Sequence, residues 1–261
     1  MELQTPKNGV IGTDMPVRDA ALKVTGQFKY VGDMTLPHML HAKVLFSPVA
    51  HARIKSIDTS QAEQLEGVRA VVCWKNAPDA LFNSCGEEID GEKTERVFDS
   101  TVRYVGDKVA AVAAETAKIA EQALKLIRVE YEELPAVHSP REAILPDAPL
   151  VHRDGNLLAH KHIQRGNPAE AIAKAKYMLT ERFSTPWTEH AFLEPECAVA
   201  YPDGKGVTVL STDQGAYDTQ HEIMGMLGLP AEQVRVRNCL VGGGFGGKED
   251  VTVQHHAALI A

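Results

Sequence analysis

Five glycines in six positions, Gly242, Gly243, Gly244, Gly246 and Gly247, interrupted only by Phe245, constrain this chain more than any other stretch. Such a backbone can take positive φ and approach a ligand without interference from Cβ, and Phe245 is the one bulky side chain in it. Upstream, residues 233–241 alternate apolar and polar as a half-buried strand does. Downstream, residues 251–261 read as the opening of a helix, with two β-branched valines in its first turn. Strand, glycine loop and helix together aim backbone N–H groups and a positive helix end at an anion, so a phosphate or pyrophosphate is the default guest.

Two general nucleotide patterns overlap the loop. Gly242, Gly244 and Gly247 satisfy G-x-G-x-x-G, but the acidic residue of a dinucleotide fold, expected about 20 positions later, would fall beyond the last residue. Gly242, Gly247 and Lys248 also fill the first seven positions of a P-loop. Glu249 then stands where Ser or Thr would ligate Mg²⁺, and a carboxylate there repels a triphosphate.

Composition narrows the partners. A 261-residue chain that is 44% hydrophobic has room for one large or two medium domains. A formal charge of −8 argues against nucleic acid or an anionic membrane as the main partner. No apolar run reaches the roughly 18 residues of a membrane span, and the first residues are not those of a signal peptide, so the expected location is the cytoplasm. Cys73, Cys85, Cys197 and Cys239 form no C-x-x-C pair. They read as reduced, mostly buried thiols, and any iron–sulfur centres would belong to another chain.

Along the chain, an arm over residues 1–17 precedes a mixed region. Strands are predicted over 41–46, 52–57, 68–74, 108–114 and 128–132, with helices from the Asp58-Thr59-Ser60 cap to Leu65 and over 116–127. Residues 78–96 lack periodicity and read as a long surface loop. His51, beside a turn, reads as a hydrogen-bonded packing residue. A proline-rich linker centred on 140–156 follows, then a helix over 168–176 and strands over 178–184 and 207–212. An amphipathic helix over 218–227 is closed by Gly228 and Pro230.

Outside the glycine loop the chemical signals are thin. His190, Glu194 and Glu196 could ligate a metal or share acid and base work. No second histidine lies at ligand spacing and Glu194-Pro195 forces an extended step, so structural carboxylates are the better reading. His221-Glu222 lacks the second histidine of H-E-x-x-H, and His255 and His256, adjacent on a helix, should point apart.

Several runs carry a resemblance. Gly242 to Glu249, GGGFGGKE, resembles the pterin-binding loop of the molybdenum hydroxylases, the xanthine dehydrogenase and aldehyde oxidoreductase family. The opening run from Arg18 to Gly26 is similar to the start of that family's molybdenum subunit. Runs beginning at Ser47, Gly106 and Tyr131 are similar to its hammerhead domain. His190 with Glu194-Pro195 and Cys197 matches H-x-x-x-E-P-x-C, and Ser211-Thr212-Asp213-Gln214 matches S-T-x-Q. The resemblance implies an α+β chain with an α/β hammerhead domain over 18–138, a linker over 139–165, and the first, incomplete part of a molybdopterin-binding domain over 166–261.

It also implies a site. Gly243, Gly244, Phe245 and Gly246 would bring main-chain donors to a molybdopterin, the cytosine dinucleotide form being one the resemblance allows, and Gln214 would donate to the apical oxo ligand of molybdenum. Glu249 would position a purine or related N-heterocycle and stabilise charge developing on its ring. No side chain is expected to ligate the metal directly. The implied reaction is hydroxylation of an electron-poor carbon with water as oxygen source, electrons leaving through 2Fe–2S centres to FAD on partner chains or domains. The family's general-base segment G-x-G-E is absent. The expectation is therefore a fragment or a naturally split subunit, inactive alone and completed by the remaining part of the molybdenum subunit, an iron–sulfur subunit and an FAD subunit. An aldehyde oxidoreductase of the same family, a scaffold without cofactor, and a P-loop-like nucleotide binder remain as alternatives.

Overall fold

The computed structural model describes residues 17–84 and 93–261. The arm over 1–16, Cys85 and the acidic residues around Gly91 lie outside the described residues.

A short helix α1 (Ala20–Val24) leads into two three-stranded sheets. The first has the order β1 (His41–Phe46), β5 (Lys108–Ala114), β3 (Val68–Cys73), and the second β4 (Thr101–Val102), β2 (Ala52–Asp58), β6 (Arg128–Glu133), all pairs antiparallel. Ala110, Ala111, Ala113 and Ala114 are fully buried in the central strand β5. Methyl side chains there let helix α3 (Ala117–Leu124) approach closely, with Ala120 and Ala123 against the same core. Thr116 starts α3 as a true N-cap, its hydroxyl accepting from the Ile119 N–H at 3.2 Å.

The predicted strands therefore fall where alternation placed them. Helix α2 (Ser60–Glu63) is a single turn; Asp58 accepts from the Ser60 N–H at 3.0 Å and Gly67, at φ 86°, ends the segment. His51 is buried, its Nδ1 2.7 Å from the Pro135 carbonyl.

The span read as a long surface loop is different at its flanks. Phe82 and Glu95 form a backbone bridge, and Phe82, Val97 and Phe98 are buried with Ala111, Met226, Leu259 and Ile260. Aperiodic sequence hid these aromatics because each is buried by a partner distant in the chain.

Beyond β6 the linker contains helix α4 (Pro140–Ala143) and is drawn together by Asn156, which donates to the carbonyls of Ala143 and Pro149 and accepts from the Val151 N–H. Helix α5 (Pro168–Lys174) follows. The strand predicted over 178–184 pairs with no sheet among the described residues: Phe183 is 86% exposed and Trp187 fully exposed. No strand forms there, which corrects the expectation: alternation alone does not make a strand where no neighbouring strand pairs with it.

The last region is a sheet of order β7 (Ala198–Pro202), β8 (Val207–Ser211), β9 (Val234–Asn238), in which β7 and β8 are antiparallel and β8 and β9 parallel. The parallel step needs a crossover, supplied by helix α6 (Ala216–Leu227), which Gly228 closes in the left-handed region at φ 65°. Helix α7 (Gln254–Ile260) packs on α6 and β7. No helix among the described residues is long and apolar enough to cross a membrane.

Candidate functional site

Because β8 and β9 run parallel in register, Ser211 opposite Asn238, their C-terminal ends open on the same edge of the sheet. That is where ligands bind in open parallel sheets. The turn after β8 carries Gln214 and the turn after β9 becomes the glycine loop. The Cys239 N–H donates to the Ser211 carbonyl at 2.7 Å and the Asn238 amide to the Asp213 carbonyl at 2.6 Å, so the two turns are tied before they diverge. Asp213 is fully buried and accepts from the Thr219 hydroxyl at 3.0 Å, anchoring this corner to α6.

Gln214 sits inside the glycine loop. Its Oε1 accepts from the N–H of Gly246 at 3.0 Å and of Lys248 at 3.4 Å, while its own backbone N–H donates to the Lys248 carbonyl at 2.8 Å. With the amide oxygen so occupied, Nε2 is turned outward, 3.4 Å from Glu249 Oε1. A Cβ on Gly244 would overlap the Gln214 amide oxygen, so this position requires glycine for space. Gly243 and Gly246, at φ 105° and 91°, require it for conformation, and Phe245 adopts φ 54° and is 75% exposed. Gln214, Gly243, Gly244, Phe245, Gly246 and Glu249 are thus brought together.

Among the described residues no acceptor meets the N–H groups of Gly243, Gly244 and Phe245. Of these three consecutive donors the one on buried Gly244 calls for an acceptor, while those of Gly243 and the exposed Phe245 are open to solvent or to a ligand. The oxygens and ring nitrogens of a pterin and its phosphate fit such a row, and the close backbone approach permitted by glycine fits a flat guest. Two expectations change. The helix expected directly after the loop begins only at Gln254, so the donors are the loop's own amides and not a helix end. The lysine of the P-loop pattern is 1% exposed, its Nζ bonded to the Glu194 carbonyl at 2.8 Å and to Glu194 Oε2 at 3.1 Å. It cannot reach a phosphate, which removes the nucleotide-loop reading.

His190, Glu194 and Glu196 do not converge on a metal. No group of three or more His, Cys, Asp or Glu among the described residues could hold one. Glu194 bonds the Gly242 N–H, Glu196 accepts from the Thr252 hydroxyl at 2.9 Å, and the His190 ring lies against the loop, where a Cβ on Gly247 would meet its Nδ1 at 2.7 Å. The structural role read for Glu194 and Glu196 agrees with these bonds; the pairing of Glu194 with Lys248 was not legible, since it joins positions 54 apart in the sequence.

Around the site, burial first, and then the carboxylates of Glu95 and Glu249, push the Asp250 carboxyl up. Asp250 also borders a cleft of about 520 Å³ between the two regions, with Lys108, Glu196, Thr252 and His256. The cleft touches the glycine-loop cluster only through Asp250, and its mixed charges build no convergent donor set. Burial likewise raises the thiols of Cys197 and Cys239. These two cysteines are only half-buried, Cys73 alone among the described ones being buried, which corrects the expectation of mostly buried thiols. The histidines expected to point apart lie together, ring centroids 3.9 Å apart, His255 against Phe82 and His256 against Phe98. The side chains of adjacent helical residues converge here because an aromatic wall from a distant segment closes on both.

Comparison with known proteins agrees with this geometry. Residues 25–135 match the model of the aldehyde oxidase and xanthine dehydrogenase a/b hammerhead domain, and residues 151–261 match the molybdopterin cofactor-binding domain. The chain is 40% identical to a probable xanthine dehydrogenase subunit of Bacillus subtilis, over 93% of its own length and 32% of that protein's. It is 38% identical to the nicotinate dehydrogenase large molybdopterin subunit of Eubacterium barkeri, over 96% of this chain and 58% of that one. Among solved structures, the aldehyde oxidoreductase from Desulfovibrio gigas superposes on all of this chain and 30% of its own, with a TM-score of 0.87 and 29% identity. The chain therefore spans between 30% and 58% of the length of these relatives. A hammerhead domain followed by a cofactor-binding domain, matched in order over most of its residues, makes this chain a member of the xanthine dehydrogenase and aldehyde oxidoreductase family of molybdenum hydroxylases, of which it carries the molybdopterin-binding part.

Proposed function

We propose that this chain forms the cofactor-holding part of a molybdenum hydroxylase that hydroxylates a purine or related N-heterocycle with water. The observation that carries the reading is the row of free N–H groups at Gly243, Gly244 and Phe245 beside the outward amide of Gln214 and the carboxylate of Glu249. When bound, the molybdenum cofactor, in a pterin form that can include the cytosine dinucleotide, supplies two-electron oxidation of an electron-poor carbon. The chain's own residues do the rest: the loop amides hold the pterin face, Gln214 offers its N–H to the cofactor, and Glu249 accepts a hydrogen bond from a ring N–H or stabilises charge shifted onto the ring. The relatives' names, which include xanthine and nicotinate, support a heterocycle over an aldehyde. The aldehyde reading draws support from the Desulfovibrio gigas likeness, and Glu249 is the residue that separates the two.

The domain boundaries we adopt are 18–138 and 166–261, joined by 139–165. Electrons would pass to 2Fe–2S and FAD groups on partner chains or domains, in the cytoplasm. The remaining part of a molybdenum subunit would complete the site and cover the exposed stretch around Phe183 and Trp187. The test is the native assembly isolated through this chain: about one molybdenum and one pterin per chain are expected, and their absence would remove the reading. Glu249→Gln in that assembly should lower turnover of purine or nicotinate substrates by about 10²-fold with molybdenum content unchanged. Unaltered kinetics would refute the role of Glu249.

A further inference from the structure

One carboxylate oxygen holds both ends of the glycine loop. Glu194 Oε2 accepts from the N–H of Gly242, where the chain goes into the loop, at 2.5 Å, and from Nζ of Lys248, where it leaves, at 3.1 Å. Lys248 adds a second bond to the Glu194 main-chain carbonyl at 2.8 Å and lies 4.6 Å over the Phe192 ring. The side chains of Lys248 and Glu194 are 1% and 10% exposed. A buried ion pair is a poor way to stabilise a core, because desolvation offsets much of the attraction. This one is poorer still, since Glu194 Oε1 is buried with no partner among the described residues. What the pair does achieve is geometric: positions 242 and 248 are tied to a single side chain, which fixes the span across which Gly243, Gly244 and Phe245 present their N–H groups.

We infer that Lys248 and Glu194 are positioning residues of the site, a buried clasp whose shared carboxylate oxygen holds the glycine loop in the shape that receives the cofactor. The inference rests on the cofactor reading above for what the loop receives, but not for the clasp itself. The motif letters alone place Lys248 as a phosphate ligand or leave it without a role; its burial and its three contacts assign it to the loop's own architecture.

The test uses the intact assembly isolated through this chain. In Lys248→Met/Glu194→Gln the ion pair is replaced by an uncharged pair of similar size that still offers Gly242 an acceptor, so the melting temperature should stay near that of the wild type. Amide hydrogen exchange over 242–248 should nevertheless rise about tenfold or more, while the amides of Val207–Ser211 stay protected. Pterin, read by fluorescence after acid oxidation, should fall to a small fraction of the wild-type content. Wild-type exchange in the loop of a normally melting double variant would overturn the clasp, and raised exchange with full pterin retention would overturn its service to the cofactor. A wild-type assembly without pterin would remove the cofactor reading while the exchange result still decides the clasp. Should the double variant fail to fold, Glu194→Gln alone is expected to raise loop exchange in the same residues, and unchanged exchange there would equally count against the clasp.

Discussion

Gly244 shows how a single hydrogen atom in place of a side chain can decide a site. Its missing Cβ is the space occupied by the Gln214 amide oxygen, which in turn collects the N–H groups of Gly246 and Lys248. Gly244→Ala should therefore expel Gln214 from the loop. The cost of overpacking, about 1–3 kcal/mol, would appear as a lowered melting temperature together with loss of molybdenum from the native assembly. Wild-type values of both would show that the Gln214 amide is not held as described. At this scale the sequence was informative about which residues come together, since Gln214, the glycines and Glu249 all meet at one sheet edge. It gave Glu194 as a structural carboxylate and Lys248 only as a letter of the P-loop pattern, but not their pairing, because their opposite charges are far apart in the chain and meet only where Lys248 is buried against Phe192.

Among the elements, α7 carries the least expected feature. Its histidines are enclosed between aromatic rings of the hammerhead region and the sheet of the cofactor region. Burial, and then the neighbouring Lys108, lowers His256 to about 3; burial, then His256 and Lys108, holds His255 well below the usual imidazole range. Both are neutral in the folded protein and charged in the unfolded chain below about pH 6.5. The unfolded state then binds more protons, so stability falls as pH drops from about 6.5 toward 3, each histidine contributing a slope of about 1.4 kcal/mol per pH unit. His256→Leu should flatten that acid limb in urea titrations at about pH 7 and about pH 5, and an unchanged difference between the two would rule out the histidine as its source. Strands were legible because alternation reports the face a residue buries. The pairing of these rings was not, because helical spacing says nothing about a wall arriving from residues 82 and 98.

For the whole molecule, the stretch over 177–187 stands apart from both cores. Tyr177, Met178, Leu179, Phe183 and Trp187 lie outside any strand or helix and are all strongly exposed. So many exposed large apolar side chains in one stretch mark a surface for a partner. If the proposed remaining part of the molybdenum subunit covers this stretch in the native assembly, the amides of 178–184 should exchange as slowly as those of β8. Exchange at the rate of an open loop would remove that contact.

What the sequence by itself determined was local: most of the strands, though not β4 or β7 and with one at 178–184 that does not form, the helix caps, the glycine loop with its conformational demands, and, through GGGFGGKE and S-T-x-Q, the family. Those features depend on neighbours within a turn or a strand, and period, cap and glycine report them directly. Only the tertiary structure decided which way Gln214 turns its amide, that Lys248 is spent on Glu194 instead of a phosphate, that the donors are loop amides and not a helix end, and that the two histidine rings are buried against each other. Each of these depends on burial by residues remote in the chain, and desolvation is a property of the packed molecule that no local pattern encodes.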